Sequence, residues 1–119
     1  MKIRALVVDD DPLNLKLLSV FLKKLNFEGD FAVDGKEAVE KTRNNSYDIC
    51  FMDIQMPIMD GIEATKIIRE EISKDLPIVA VTALSDFNLE KSLAAGMNDY
   101  LGKPVDLPTF KNIIAKYCH

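Results

Sequence analysis

Five apolar runs separated by stretches of helical spacing constrain this chain more than any other feature. Such alternation builds βα units and a parallel sheet rather than hairpins. The runs predict strands over residues 3–8, 27–33, 48–52, 78–81 and 98–101. The first, third and fourth are nearly continuously apolar, as strands covered on both faces must be, which makes them central. The second alternates Phe27, Gly29, Phe31 and Val33 with Glu28, Asp30 and Ala32. That pattern belongs to an edge strand showing one face to solvent.

Helix signals fill the gaps. Asp11-Pro12 places an N-cap before a proline at the first helical position, and Leu18, Phe21, Leu22 and Leu25 follow at helical spacing until Asn26 ends the helix. Asp34 with Glu37, and Asp60 with Glu63, have capping-box spacing and open two more helices. Ser85 and Asp106 start the last two, and the closing helix gathers Leu107, Phe110, Ile113 or Ile114, and Tyr117 on one face. Right-handed crossovers then predict an α/β fold: a flavodoxin-like, doubly wound, five-stranded parallel sheet of order 2-1-3-4-5 with five helices. With 119 residues, 48% of them hydrophobic, residues 1–119 form a single domain whose core needs neither disulfide nor structural metal.

Several chemistries are excluded by what the chain lacks. Its 15 Lys plus Arg against 19 Asp plus Glu leave a net charge of −4 without a basic cluster, so direct nucleic-acid binding is not expected. Cys50 and Cys118 make no disulfide framework or metal pair, which predicts a reducing, cytoplasmic setting. The single histidine, His119, is terminal, which removes His-based zinc sites and Ser/His or Cys/His catalysis. The opening apolar stretch stops at Val8 against Asp9-Asp10-Asp11, too short for secretion or for spanning a membrane.

Parallel strands deliver the residues that follow them to one rim. Asp9, Asp10 and Asp11 follow the first strand, Asp53 the third, Thr82 and Ala83 the fourth, and Lys103 and Pro104 the fifth. Asp11 doubles as the N-cap. Carboxylates facing one another repel unless a cation or lysine offsets them. An oxygen-only donor set suits a hard divalent cation, Mg²⁺ with Mn²⁺ as the alternative. A cation, the Lys103 ammonium and the Thr82 hydroxyl converging on one carboxylate make a pocket for phosphoryl oxygens, with that carboxylate as nucleophile and an acyl phosphate as product.

Val7-Val8-Asp9-Asp10-Asp11-Pro12, Met52 to Gly61 (Met-Asp-Ile-Gln-Met-Pro-Ile-Met-Asp-Gly), Val81-Thr82-Ala83 and Lys103-Pro104 together resemble the receiver domain of two-component response regulators. The resemblance covers the whole chain. It implies that Asp53 is the phosphoacceptor, and that Asp10, Asp53 and the Gln55 backbone carbonyl bind Mg²⁺, with Asp9 acting through a water. It implies further that Lys103 holds the phosphoryl oxygens, that Thr82 moves to hydrogen-bond them, and that Tyr100 turns inward with Thr82. Pro104 matches a position where the family often has a cis peptide. Gln55 and Leu84 match the positions that flank the approach of hydrolytic water. Met52 to Gly61 and Ala95 to Leu101 look like receivers of hybrid histidine kinases and phosphorelays.

Such a domain would take its phosphoryl group from a histidine kinase or a histidine phosphotransfer protein and signal through its surface, roughly residues 85–119, to a downstream protein. It would be a phosphoacceptor signalling domain rather than an enzyme, catalysing only its own phosphorylation and dephosphorylation. Leu84, Phe87 and Leu89 are candidates for that surface. The chain is expected to be a monomer before phosphorylation, and either a stand-alone regulator or a piece of a longer protein. The alternatives are a degenerate receiver that binds partners without phosphorylation, a haloacid-dehalogenase-type phosphatase, whose second Asp is here Gln55, and a flavodoxin-like FMN carrier, whose phosphate Asp9-Asp10-Asp11 would repel.

Overall fold

The computed structural model describes residues 2–83, 85 and 88–118. Strands and helices alternate as β1 Arg4–Val8, α1 Pro12–Lys24, β2 Glu28–Ala32, α2 Gly35–Asn44, β3 Ile49–Asp53, α3 Gly61–Glu71, β4 Ile78–Thr82, α4 Leu89–Ala95, β5 Asp99–Gly102 and α5 Leu107–Tyr117. The five strands form one sheet in the order β2-β1-β3-β4-β5, each pair parallel. This is the predicted doubly wound topology, with β2 and β5 at the edges. The strand bounds differ from the predicted ones by a residue, and Asp53 and Thr82 close their strands rather than following them.

Period-two alternation sends each central strand's residues to two cores. Leu6, Val8, Cys50, Met52, Ile78 and Ala80 meet Ala38 and Val39 of α2 and Ala64 and Ile68 of α3 on one face. Ala5, Val7, Ile49, Phe51, Val79 and Val81 meet Leu18 and Leu22 of α1 and Phe110 and Ile114 of α5 on the other. Phe110 anchors that second core, its ring centroid 4.7 Å from Phe51 and 5.7 Å from Phe21. β3 and β4 have all five residues buried, their apolar runs together with the closing Asp53 and Thr82.

The helix caps are those that local chemistry favours. Asp11, Asp34, Asp60 and Asp106 each accept a backbone N–H at the start of α1, α2, α3 and α5. Asn26 follows α1 at φ 62, the left-handed position that asparagine tolerates and that stops a helix. α4 departs from expectation. Its cap is Asn88, which accepts from the Lys91 N–H, and not Ser85, because the stretch offers several capping side chains and only the last adjoins the helical run. At the other end of α4, Gly96 takes φ 108, a conformation that costs a side-chain-bearing residue energy. No helix among the described residues is long and apolar enough to cross a membrane.

Candidate functional site

The sheet register assembles the site. Val8 lies beside Met52, so the next residues, Asp9 and Asp53, emerge together. Asp53 lies beside Val81, which puts Thr82 one step further along the rim. Thr82 lies beside Gly102, so Lys103 follows at the same level. Residues spread over nearly the whole chain thus meet at the carboxyl ends of adjacent strands, where ligands bind in open α/β sheets.

They line a cleft of about 250 Å³ with Asp10, Asp11, Asn14, Gln55 and Ala83. Larger clefts exist, about 390 Å³ between α2 and α3 at the opposite pole and about 570 Å³ between the β3–α3 loop and α4. Neither gathers clustered carboxylates, an amine and a hydroxyl, which is what makes the smaller one the candidate.

Asp9 and Asp53 are buried, Thr82 is buried, and Asp10 is exposed at the mouth. The Lys103 Nζ stands 3.1 Å from Asp9 Oδ2 and 3.2 Å from Asp53 Oδ2, so one ammonium serves two buried carboxylates. The other oxygen of Asp9 accepts the backbone N–H of Asp11 at 2.9 Å, and Asp11 in turn caps α1 by accepting from Leu13. Helix start and carboxylate orientation are therefore coupled. The Lys103 N–H donates to the Thr82 carbonyl at 2.9 Å, tying the β4 and β5 ends together, and the Lys103–Pro104 peptide is cis, as the motif predicts. Among the described residues the Thr82 hydroxyl makes only a long contact, 3.4 Å, to the Ala83 carbonyl, a weak bond that it can exchange for a better one.

The charge is unbalanced. Burial, and next the charge of Asp9, push the Asp53 carboxyl up to about 6, while Lys103 opposes the rise. Burial works against the Lys103 ammonium, but hydrogen bonding to Asp9 and the charges of Asp53 and Asp9 raise it above the ordinary lysine value. Carboxylate oxygens of Asp9, Asp10 and Asp53 all lie within 4.8 Å of one another. Three hard oxygen donors that close, short of positive charge, fit a small divalent cation such as Mg²⁺ or Mn²⁺.

Gly61, at the start of α3, is needed for this geometry. A Cβ there would collide with the Asp53 carbonyl oxygen, and its N–H donates to the Ile54 carbonyl at 2.8 Å. Cys50, three residues before Asp53 on the same strand, is fully buried and its thiol is pushed up to about 12 by that burial, so it stays protonated and inert.

Sequence reading foresaw Asp9, Asp10, Asp53, Thr82, Lys103 and Gln55 here, and all of them line the cleft. Tyr100 does not: it is 44% exposed on β5 and outside the cleft lining. Leu84 and Phe87 lie outside the described residues, as does His119, and Leu89 is exposed at the start of α4. Asn14 was missed. Its position three residues into α1, after the Asp11 cap, was the available signal.

A family model described as the response regulator receiver domain matches residues 5–115. The chain belongs to this family. It is 40% identical over 121 residues to hybrid signal transduction histidine kinase G of Dictyostelium discoideum, covering 98% of this chain and 4% of that protein. It is 39% identical over 114 residues to the signal transduction histidine-protein kinase BarA of Escherichia coli K12, covering 94% of this chain and 12% of that one. The receiver chain thus spans only a small part of the curated relatives it matches.

Among solved structures it is similar to the receiver domain of the sensor histidine kinase PA1611 from Pseudomonas aeruginosa PAO1, which has a magnesium ion coordinated in its active site cleft. The TM-score is 0.90 at 34% identity, covering 98% of each chain. It is also similar to a chain in the co-crystal of the Saccharomyces cerevisiae histidine phosphotransfer protein Ypd1 with the receiver domain of its downstream response regulator Ssk1. There the TM-score is 0.89 at 35% identity, covering 98% of this chain and 88% of that one. This receiver is accordingly a component of two-component phosphorelay signalling, with hybrid-kinase receivers among its relatives.

Proposed function

We propose that residues 1–119 form one cytoplasmic receiver domain that accepts a phosphoryl group on Asp53 from a histidine kinase or a histidine phosphotransfer protein. The observation that carries this reading is the single Lys103 ammonium bridging two buried carboxylates, Asp9 and Asp53, in a cleft otherwise short of positive charge. Such a site is poised for a ligand that brings its own cation and takes up hydrogen bonds from the lysine.

An Asp53 carboxylate oxygen forms the new bond to phosphorus while the bond from phosphorus to the donor's imidazole nitrogen breaks, its electron pair staying on that nitrogen. Lys103 holds the phosphoryl oxygens and stabilises the charge that develops on them. Asp10, Asp53 and the Gln55 backbone carbonyl would hold Mg²⁺, with Asp9 acting through a water, and the cation would neutralise charge on carboxylates and phosphoryl oxygens. Thr82 moves its loosely bonded hydroxyl onto the phosphoryl group, and Tyr100 turns from its exposed position toward the space vacated.

The added charge near −2 and its acceptor oxygens reorder the loops around α4, β5 and α5, a surface that a downstream protein reads. The domain is a monomer before modification and catalyses only its own phosphorylation and dephosphorylation. Intact mass after incubation with Mg²⁺ and acetyl phosphate tests the reading. The parent gains one phosphoryl group, and Asp53→Asn and a magnesium-free control do not. An unmodified parent, with donor and lifetime controls in order, would instead favour a degenerate receiver that binds partners without phosphorylation.

A further inference from the structure

β2 closes one edge of the sheet, with β1 on its inner side and no strand on its outer side. The Glu28 N–H donates to the Ile3 carbonyl at 2.9 Å and the Ala32 carbonyl accepts the Asp9 N–H at 3.1 Å, so Glu28, Asp30 and Ala32 turn their backbone groups toward β1. Alternation then turns the N–H and C=O of Gly29 and Phe31 outward, along the open edge. Such an edge is a template for another strand unless the fold blunts it. Here neither lysine nor proline stands on the strand. Its two acids, Glu28 and Asp30, alternate to the α2 side, where Arg4 and the Tyr47 hydroxyl hold Asp30.

On the α1 side the same edge is apolar and basic. Two cavities of about 260 and 240 Å³ lie between α1 and β2, and they share Ser19 and Phe31, so they make one groove. Leu15, Leu22 and the Phe27 and Phe31 rings line it, with Lys16 toward one end and Lys23 toward the other. The chain as a whole carries −4, yet α1 has three lysines and no acidic residue. Among the described residues none of Lys16, Lys23 and Lys24 makes an ion pair. The groove shares no lining residue with the acidic cleft. A ligand that satisfies this edge needs an extended backbone for the outward N–H and C=O groups, apolar side chains at alternate positions, and negative charge flanking them. A helix laid on α1 would leave the β2 backbone groups unpaired, whereas an extended acidic segment meets all three demands.

We propose that the groove between α1 and β2 is a docking site for an extended acidic segment of a partner protein, which joins the sheet beside β2 and lays alternate apolar side chains between α1 and Phe31. A partner docked there leaves the acidic cleft open, so the domain is held in an assembly without its chemistry being blocked.

The test uses the whole chain, isotope-labelled, and the peptide acetyl-Glu-Thr-Leu-Thr-Leu-Thr-Glu-amide, whose glutamates and leucines share one side when extended. Amide NMR spectra are expected to shift saturably with a Kd of about 0.1–1 mM. Hydrogen exchange at the Gly29 and Phe31 amides slows about tenfold near saturation, because both N–H groups now donate. Proline at the threonine positions keeps charge and leucines but prevents strand pairing, and lysine at the glutamate positions reverses the charge; each change weakens binding at least about tenfold. Lys16→Glu combined with Lys23→Glu weakens the acidic peptide to a similar extent and strengthens the lysine peptide, with a thermal melt confirming that the fold is kept. Equal binding of the proline peptide overturns the proposal, as do shifts confined to α1 with unchanged exchange at Gly29 and Phe31. Absence of any shift at a peptide concentration of about 5 mM overturns it as well.

Discussion

At the amino ends of the strands, the charged side chains that tie the fold together meet opposite charges or neutral acceptors, whereas at the carboxyl ends two buried carboxylates share one ammonium beside a third carboxylate, Asp10. Arg4 bonds Asp30 at 2.7 Å, and Tyr47 adds its hydroxyl to the same carboxylate at 2.8 Å. Lys116 and the Tyr117 hydroxyl both reach Asp99 at 2.9 Å and, against the burial that would raise it, hold that carboxyl below its ordinary value. Arg69 donates to the Gly96 carbonyl at 3.0 Å, the Ser73 carbonyl at 3.2 Å and Asn98 Oδ1 at 2.9 Å, tying the ends of α3 and α4 to the start of β5. The carboxyl-end rim instead carries a raised Asp53, a strained Ile58 and the two most exposed apolar side chains among the described residues. One pole spends its polar groups on folding and the other holds unmet demand for a ligand. Substitutions at the two poles should therefore separate stability from phosphorylation.

The largest effect on stability is expected at the amino pole. Arg69→Met removes a cation that satisfies three acceptors, and the Gly96 and Ser73 carbonyls and Asn98 lose a charged donor together. A loss of about 2–4 kcal/mol follows from the two partly buried carbonyls, while Asn98 Oδ1 keeps the Ile78 N–H at 2.8 Å. Urea unfolding should show it, while the rate of labelling by acetyl phosphate stays at the parent value. Slowed labelling would mean that the two poles are coupled and would weaken the contrast.

Lys103→Met is the matching test at the rim. It leaves Asp9 and Asp53 buried without their cation, at a cost of about 2–3 kcal/mol at pH 8 in EDTA. Unlike the Arg69 loss, this one should shrink when Mg²⁺ is added and when the pH is lowered enough to protonate a carboxylate. A deficit that ignores both would mean that Lys103 acts through packing rather than charge.

Asp53→Asn works in the opposite direction. An unfolded aspartate titrates near 3.9. In the metal-free fold, burial and next Asp9 raise Asp53 to about 6. A raised carboxyl contributes stability below the unfolded value and loses it as pH rises through about 6. Asparagine escapes that loss, so the variant should be more stable than the parent by about 1–3 kcal/mol near pH 8, with the gap closing toward pH 4. Thermal unfolding in EDTA across this range reads the sign directly. A variant less stable than the parent at pH 8 would place the ionised carboxylate among the fold's stabilising groups.

The contrast also separates what the sequence discloses from what it hides. The uninterrupted runs at β1, β3 and β4 admit only strands covered on both faces, and strand order then brings Asp9, Asp53, Thr82 and Lys103 to one rim. Asp34 and Asp60 mark helix starts because the capping bond is local, spanning three residues. The features that stay hidden are those set by distant partners. Nothing in Pro57-Ile58-Met59 announces a positive φ, because the turn is pinned by Gly35 from another βα unit. Arg69 reads as one more surface cation on α3 until its acceptors at Gly96 and Asn98 are in place. The start of α4 was misplaced at Ser85 because several good caps compete, and Tyr100 sits outward although its motif suggests a residue that turns in.

The smallest effect tests what the amino pole's balance is made of. Arg43 and Glu71 pair at 2.7 Å, as short as Arg4 and Asp30, but their side chains are 46% and 51% exposed. Water screens such a pair and fixing two long side chains costs entropy, so Arg43→Ala should change stability by less than about 0.5 kcal/mol. Arg69, with no carboxylate partner among its hydrogen bonds, should matter several times more. If urea unfolding gives the reverse order, direct charge pairing rather than the satisfaction of partly buried carbonyls holds that pole. The rim's unmet charge would then differ from the amino pole in degree rather than in kind.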